Sequence, residues 1–433
     1  MFVESVRVHR RSAFDRKSEV FSSSKLLCIA VGLYTLVVFA PGFTLDPETI
    51  PPLYMYKGML CCGLFIAGLA VGATLFPFES AHCRQLSSAL FKNGLAFVVF
   101  FQIVITAYVF IMGPTPPLLA AFSGDSAFDI ALLREEAVKL NHDLVFVRIY
   151  SIGRDVFSPV VFVLSIVGLR SYRAWSIKAM AVLGILLALG IGLWSGQKAT
   201  IINYGLASVV YMAASATSMV KSLCKSLPLV ILAIAAVFAI TLPQLFTTEF
   251  ELGGSSGATN ILMESVVHRV LLSPLEVSAA YVYSIDVMHI ISRFDVLPFG
   301  TEFHTPGIVS AENQIALEFF YSGIESVSAN ALAFAYAYVL AGYFGCFVAG
   351  VLIVGAYKAC VWLVKGCGSA FMMAAFSALL SYHVLDLLNS NYLAYLIGIS
   401  FYAIAFWLVG SVLTRRSAGQ LAPSSCEQSN LQP

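Results

Sequence analysis

The stretch NGLAFVVFFQIVITAYVFIM, residues 93–112, contains no charged side chain and is rich in Phe, Val and Ile. A helix of this length, rising about 1.5 Å per residue, covers the ~30 Å hydrocarbon core of a bilayer. Across all 433 residues, 59% are hydrophobic and 11% are charged, whereas soluble domains carry about 25% charged residues. This composition excludes a soluble single-core domain and predicts an all-α polytopic integral membrane protein.

Further apolar runs of similar character bring the predicted number of spanning helices to about ten. They occupy residues 26–43, 58–76, 156–169, 179–194, 201–220, 226–246, 329–357, 369–385 and 387–412. The predicted organisation is a basic cytoplasmic tail at 1–25, seven helices within 26–246 with an outer loop at 113–147, a large outer loop or cap at 247–328, three helices within 329–416, and a disordered cytoplasmic tail at 417–433.

The charge distribution predicts the orientation of these helices. If the amino terminus is cytoplasmic, 17 of the 25 basic residues lie on the inner side and 19 of the 24 acidic residues on the outer side. Lys and Arg concentrate on the cytoplasmic side of membrane proteins. Both termini are therefore predicted to be cytoplasmic, and the net charge of +1 conceals a strongly polarised molecule.

The large outer loop is expected to be partly folded. Pro274, Pro298 and Pro306 divide it into largely apolar pieces, which predicts short interfacial helices that lie on, or dip into, the outer leaflet. A small cap without lipid contact is the alternative. Glu318 and Glu325 lie seven residues apart and would share one helix face.

A charged pair marks the fourth predicted span. Arg154 and Asp155 lie sixteen and fifteen residues before Arg170, or ~22–24 Å along a helix, which predicts that they sit at the outer membrane boundary. Arg148 would lie near the headgroups. Two interpretations remain open: an arginine neutralised by the neighbouring aspartate, or a positive wall for an anionic ligand.

Few other cations are predicted on the outer side. Lys198 follows a tight Trp-Ser-Gly-Gln turn on the predicted outer side, although basic residues usually concentrate on the cytoplasmic side. Arg269 and Arg293 are the only Lys or Arg in the large loop. Arginine has a planar fork suited to phosphate, while His268 and His304 could accept protons near neutral pH. An interfacial anchor or a salt bridge is the structural alternative for each residue.

Three motifs resemble bacterial oligosaccharide repeat-unit polymerases, the O-antigen polymerase group. They are SGQK at 195–198, HRVLLSP at 268–274, and SANALAFAYAY at 328–338 leading to GYFG at 342–345. The resemblance covers roughly residues 145–360. It implies a glycosyltransferase of the bacterial inner membrane that polymerises undecaprenyl-pyrophosphate-linked repeat units at the periplasmic face, with a chain-length regulator as a candidate partner. It implies no cofactor, metal or nucleic acid.

The resemblance also implies roles for individual residues. The residues expected to bind lipid pyrophosphate are Arg148, Arg154, Lys198, Arg269 and Arg293. Those expected to act as the base for the acceptor hydroxyl are His304 or His268, with Glu318 as a third choice. Sugar contacts are expected from Tyr321 and Asn330.

Three other functions remain as alternatives. An O-antigen ligase would use the same leaving group but deliver the glycan to a lipid A core. A polyprenyl-phosphate-sugar glycosyltransferase usually has paired acidic residues in its first outer loop, and Asp46-Pro47-Glu48 would fit that description. A flippase or transporter of lipid-linked sugars is the non-enzymatic alternative.

Overall fold

The computed structural model describes most of the predicted membrane region. The described residues are 23–39, 50–76, 86–117, 143–194, 199–216, 273–293, 295–297, 311–319, 331–386, 391–420 and a few isolated positions between them. Every regular element within these ranges is a helix. The all-helical class predicted from the sequence is therefore confirmed for the described part of the chain.

Six helices in the described part of the chain are long and apolar enough to cross a membrane: Pro52–Leu75, Ser88–Met112, Leu144–Ser171, Trp175–Trp194, Ala333–Lys365 and Tyr395–Val412. Shorter apolar helices cover Ser24–Phe39, Thr200–Ser215 and Ala370–Leu385. These findings support a multi-pass membrane protein. The predicted span at 226–246 lies outside the described residues, so the number ten and the location of the termini stay predictions.

The helices are numbered here in chain order. They are α1 (Ser23–Tyr34), α2 (Pro52–Leu75), α3 (Ser88–Met112), α4 (Leu144–Ile152), α5 (Ser158–Ser171), α6 (Trp175–Trp194), α7 (Ala199–Ser215), α8 (Ser273–Tyr283), α9 (Ala311–Phe319), α10 (Ala333–Lys365), α11 (Ala370–Asp386) and α12 (Tyr392–Gln420). Five-residue π-helical turns follow α1, α4 and α8 at Thr35–Phe39, Gly153–Phe157 and Ser284–Met288.

The helix formed by α4, its π-turn and α5 begins earlier than predicted. The Asp143 side chain accepts hydrogen bonds from the amides of Val145 and Phe146, at 3.0 and 3.1 Å, and so caps a helix start that lies inside the predicted 113–147 loop. Arg154 and Asp155 consequently lie well within the continuous helix rather than near its start. The prediction missed this because it counted only charge-free residues as part of the span.

Helices α2 and α10 cross at very short range because glycines face each other's backbones. A Cβ atom added at Gly68 would overlap the carbonyl oxygen of Phe347, and one added at Gly350 would overlap that of Phe65. Small residues at such crossings allow the van der Waals contact that holds membrane helices together.

Helix α10 is interrupted near its start. Ala341 and Gly342 have non-helical backbone angles, and Gly342 has φ 61° and ψ −151°. The thiol of Cys346 lies 3.3 Å from the carbonyl oxygen of Phe334, although a straight helix would separate these residues by about 18 Å. Residues 333–340 therefore fold back on the longer arm, 343–365, whereas the sequence predicted one continuous span at 329–357.

The fold-back arm is enclosed by protein. Every residue from Ala331 to Tyr338 is at most 8% exposed. The amide of Leu332 donates to the Ser278 hydroxyl at 3.2 Å, which ties the arm to α8. Interrupted helices are tolerated at membrane depth only where protein or a cavity surrounds them, and this arm meets that condition.

Helix α8, which belongs to the predicted large outer loop, is enclosed by protein. Leu275, Ala279, Ala280, Tyr281 and Val282 are all fully buried, and the helix packs against α2 and α10. An interfacial helix would leave its apolar face to lipid. The apolar residues of α8 suit burial in protein as well as contact with lipid, and in the structure they pack against other helices.

Gly342→Ala is expected to destabilise the protein by about 1–3 kcal/mol, because these backbone angles are accessible essentially to glycine alone. No atom lies within 4 Å of the added Cβ, so the backbone is the sole source of the cost. Thermal unfolding in detergent measures the change. The control is Gly190→Ala in α6, which is equally unobstructed and lacks a positive φ; it should be neutral or stabilising. Equal effects would contradict the interpretation.

Candidate functional site

An ion pair joins three elements beside the α10 fold-back. Lys57 of α2 donates from Nζ to Oδ2 of Asp286 at 2.7 Å, and the Tyr338 hydroxyl donates to both carboxylate oxygens at 3.0 Å. The side chains of Lys57 and Asp286 are 27% and 24% exposed, so a ligand can reach both charges. We call these three residues the Asp286 cluster.

Tyrosine rings surround the Asp286 cluster. The Lys57 ammonium lies 4.6 Å from the ring centroid of Tyr54, and that ring packs at 4.7 Å against Tyr283. Tyr343, on the long arm of α10, meets the Tyr338 ring edge-on at 5.2 Å. Aromatic rings combine an apolar face with a polar hydroxyl, so this site offers charges, hydrogen-bonding groups and flat apolar surface together.

Irregular backbone converges on the same place. Asp286 lies in the π-turn Ser284–Met288, and His289, which ends it, has φ 52°. The break at Ala341 and Gly342 lies between Tyr338 and Tyr343 in the chain. π-turns and left-handed residues cost free energy and concentrate at functional sites. Because these irregular backbone segments lie beside the partly exposed Asp286 carboxylate, the Asp286 cluster is the leading candidate site among the described residues.

Arg154 and Asp155 form the second ion pair, also in a π-turn. Nε and Nη2 of Arg154 donate to the two Asp155 oxygens at 2.7 and 2.8 Å. The guanidinium carbon lies 5.4 Å from the Tyr150 ring centroid. The bidentate pairing matches the first of the two interpretations above, in which the neighbouring aspartate neutralises the arginine.

An aromatic chain links this ion pair to a buried histidine. The Tyr204 hydroxyl donates to the Arg154 carbonyl oxygen at 2.7 Å, and its ring lies 5.9 Å from that of Tyr382. His383, 8% exposed, stacks on Tyr402 at 5.6 Å. Ionisable groups inside membrane helices mark candidate functional positions.

Four of the predicted site residues lie in the described part of the chain: Arg148, Arg154, Arg293 and Glu318. Arg148 is exposed on α4, Arg293 is exposed in the turn after α8, and Glu318 is exposed on α9. Phe319, next to Glu318, packs edge-on against Tyr283 at 6.1 Å. Helix α9 therefore lies beside one of the tyrosines that surround the Asp286 cluster.

The remaining predicted site residues lie outside the described residues: Lys198, His268, Arg269, His304, Tyr321 and Asn330. Their roles stay predictions. Within the part that the structure describes, no group of three His, Cys, Asp or Glu side chains could hold a metal ion.

Comparison with known proteins finds no matching family model, curated protein or solved structure. The geometry and the sequence are therefore the grounds for any functional proposal.

The sequence reasoning missed Lys57, Tyr338 and His383. Lys57 stands immediately before an apolar run, and His383 is the one His, Lys, Arg, Asp or Glu within the predicted span at 369–385. A search for isolated ionisable residues at span edges and interiors would have found both. Tyr338 carries no such signal, because tyrosines are common throughout this chain.

Proposed function

We propose that the protein is a membrane glycosyltransferase that polymerises oligosaccharide repeat units carried on undecaprenyl pyrophosphate, at the outer face of the bacterial inner membrane. The transferred glycan would leave its lipid pyrophosphate, and an acceptor hydroxyl would take its place. Such a reaction requires cations for the leaving group, a proton acceptor for the hydroxyl and contacts to sugars.

The strongest support is the location of the Asp286 cluster. A carboxylate, an ammonium group and tyrosines meet at interrupted helices, in segments that the charge distribution predicts to face outwards. An apolar helical bundle has no structural need for such groups, and intramembrane or near-membrane charges are expensive unless they are paired or functional.

The proposed cations for the pyrophosphate are Arg148, Lys198, Arg269 and Arg293. Arg148 and Arg293 are exposed, and neither forms an ion pair with another described residue, so both are available to an anion. Arg154 stays a fifth candidate, although its Nε and Nη2 groups already bind Asp155. His304, His268 and Glu318 remain the candidates for the base, with Tyr321 and Asn330 as sugar contacts.

Arg269→Ala and Lys198→Ala should each block chain extension while single repeat units still reach the outer face, because the leaving pyrophosphate loses a stabilising charge. Electrophoresis of surface polysaccharide from a deletion strain complemented with each variant measures chain length. Arg173→Ala is the control, since Arg173 is exposed and predicted to be cytoplasmic. Normal chain lengths in both variants would contradict the proposal.

A lipid-linked-sugar flippase is the second candidate, and one observation favours it. Broken helices such as α10 are a feature of transporters, whose substrate sites lie at helix interruptions. Purified protein in detergent distinguishes the two functions, because a polymerase extends lipid-linked oligosaccharide there and a flippase leaves it unchanged.

A further inference from the structure

We propose that the Asp286 cluster and the Tyr343 ring form a binding subsite for the neutral sugar rings of the glycan, separate from the cations that bind its pyrophosphate. This inference rests on the proposed function and adds a location for the sugar that the sequence motifs did not indicate.

The charge of the cluster favours a neutral ligand. The Lys57 ammonium is balanced by the Asp286 carboxylate at 2.7 Å. A phosphate approaching this pair would gain attraction from one group and meet repulsion from the other at nearly the same distance. A sugar hydroxyl carries no net charge and can donate to the carboxylate without that repulsion.

The carboxylate also retains capacity to accept hydrogen bonds. An ionised Asp offers about four lone-pair positions, and the contacts among described residues come from two donor groups, Lys57 and Tyr338. Hydrogen bonds to a charged acceptor are the stronger class. Because the Asp286 side chain is 24% exposed, sugar hydroxyls can reach the remaining positions.

The rings provide the other half of a sugar site. Tyr343 is 37% exposed, while its edge is fixed against Tyr338. Tyr54 and Tyr283 support the other side of the cluster. A pyranose has a face of C–H groups, which packs on an aromatic ring, and a rim of hydroxyls, which seeks acceptors such as a carboxylate.

The backbone fixes the spacing between ring and carboxylate. Tyr338 and Tyr343 belong to opposite arms of the fold-back, and the break at Ala341 and Gly342 brings their rings together. On a straight helix, residues five apart would point about 140° away from each other. The strained turn therefore positions Tyr343 beside the carboxylate that Tyr338 binds.

The test measures binding to full-length protein in detergent with two probes. One is the repeat-unit oligosaccharide released from its lipid by mild acid, and the other is inorganic pyrophosphate. Asp286→Asn and Tyr343→Leu should each weaken oligosaccharide binding at least tenfold. Tyr343→Leu should leave pyrophosphate binding within twofold, and Asp286→Asn should not weaken it, because the repelling carboxylate is gone. Asp286→Asn could fail to fold because it breaks an ion pair. Tyr343→Leu is therefore tested as well, since the Tyr343 side chain is partly exposed and its replacement disturbs the fold less.

Phe344→Leu is the matched control, since Phe344 adjoins Tyr343 in the chain and is 74% exposed. It should leave both affinities unchanged. Wild-type protein that does not bind the oligosaccharide, or Tyr343→Leu with wild-type affinity for it, would overturn the inference. Equal loss of pyrophosphate binding in Asp286→Asn and Tyr343→Leu would also overturn it, because the site would then bind anions.

The two proposals fail in distinguishable ways. If the protein does not extend chains but oligosaccharide binding depends on Asp286 and Tyr343, the sugar subsite is supported and the polymerase function is wrong. If chain extension depends on Lys198 and Arg269 but oligosaccharide binding is unchanged in the Asp286 and Tyr343 variants, the polymerase function is supported and the subsite is wrong.

Discussion

Gly68→Val is expected to destabilise the protein by about 3 kcal/mol, the upper part of the usual range for overpacking. Its first added carbon would overlap the Phe347 carbonyl oxygen, and a backbone atom cannot rotate out of the way. Helices α2 and α10 would therefore have to move apart, with loss of the contacts along their crossing. Thermal unfolding in detergent and the folded fraction on size exclusion measure the effect.

Gly63→Val on the same helix is the matched control, because no atom lies within 4 Å of its added Cβ. The same side chain on the same helix should then be neutral or slightly stabilising, because valine has a higher helix propensity than glycine. Similar losses of stability in both variants would contradict this explanation, because of these two glycines only Gly68 faces the backbone of α10.

The apolar runs predicted most of the helices because charged groups are expensive inside a bilayer. Residues 58–75, 93–112 and 179–194 all lie within long helices of the structure. The boundaries were less predictable, since an amphipathic extension such as Leu144–Ile152 contains a charge and still continues the helix.

The fold-back of α10 could not be predicted from the same reasoning. Gly342 is one of 31 glycines, and nothing local distinguishes a glycine with positive φ from one that packs within a helix. The sequence motif at 328–345 indicated a helix with aromatic residues at this point. The interruption depends on tertiary contacts of the buried arm, such as the one from Leu332 to Ser278.

The Asp286 cluster could not be predicted from the sequence for a related reason. Lys57 and Asp286 are 229 positions apart, and no periodicity connects residues over that distance. Composition indicated that both belong to the outer side, but only the packing of α8 against α2 shows that they form a pair. A single sequence therefore identifies the charged residues and their predicted side, and the fold identifies their partners.

Asp155→Asn is expected to destabilise the protein by about 2–3 kcal/mol. This is below the ~3–5 kcal/mol of a fully buried pair, because the Arg154 and Asp155 side chains are 21% and 32% exposed. The substitution removes the Asp155 charge from beside the guanidinium, in a helix that packs against α3 and α6. The double variant Arg154→Gln/Asp155→Asn removes both charges, and its stability should recover towards that of the wild type.

The double variant also decides between the two interpretations of Arg154. Since two of its nitrogen groups bind Asp155, we expect the double variant to extend polysaccharide chains within a few fold of the wild-type rate. A double variant that is as stable as the wild type but accumulates single repeat units, as expected for Lys198→Ala, would instead make Arg154 a ligand of the lipid pyrophosphate. In that case Asp155 would hold the guanidinium in position for the phosphate, and the ion pair would belong to the binding site.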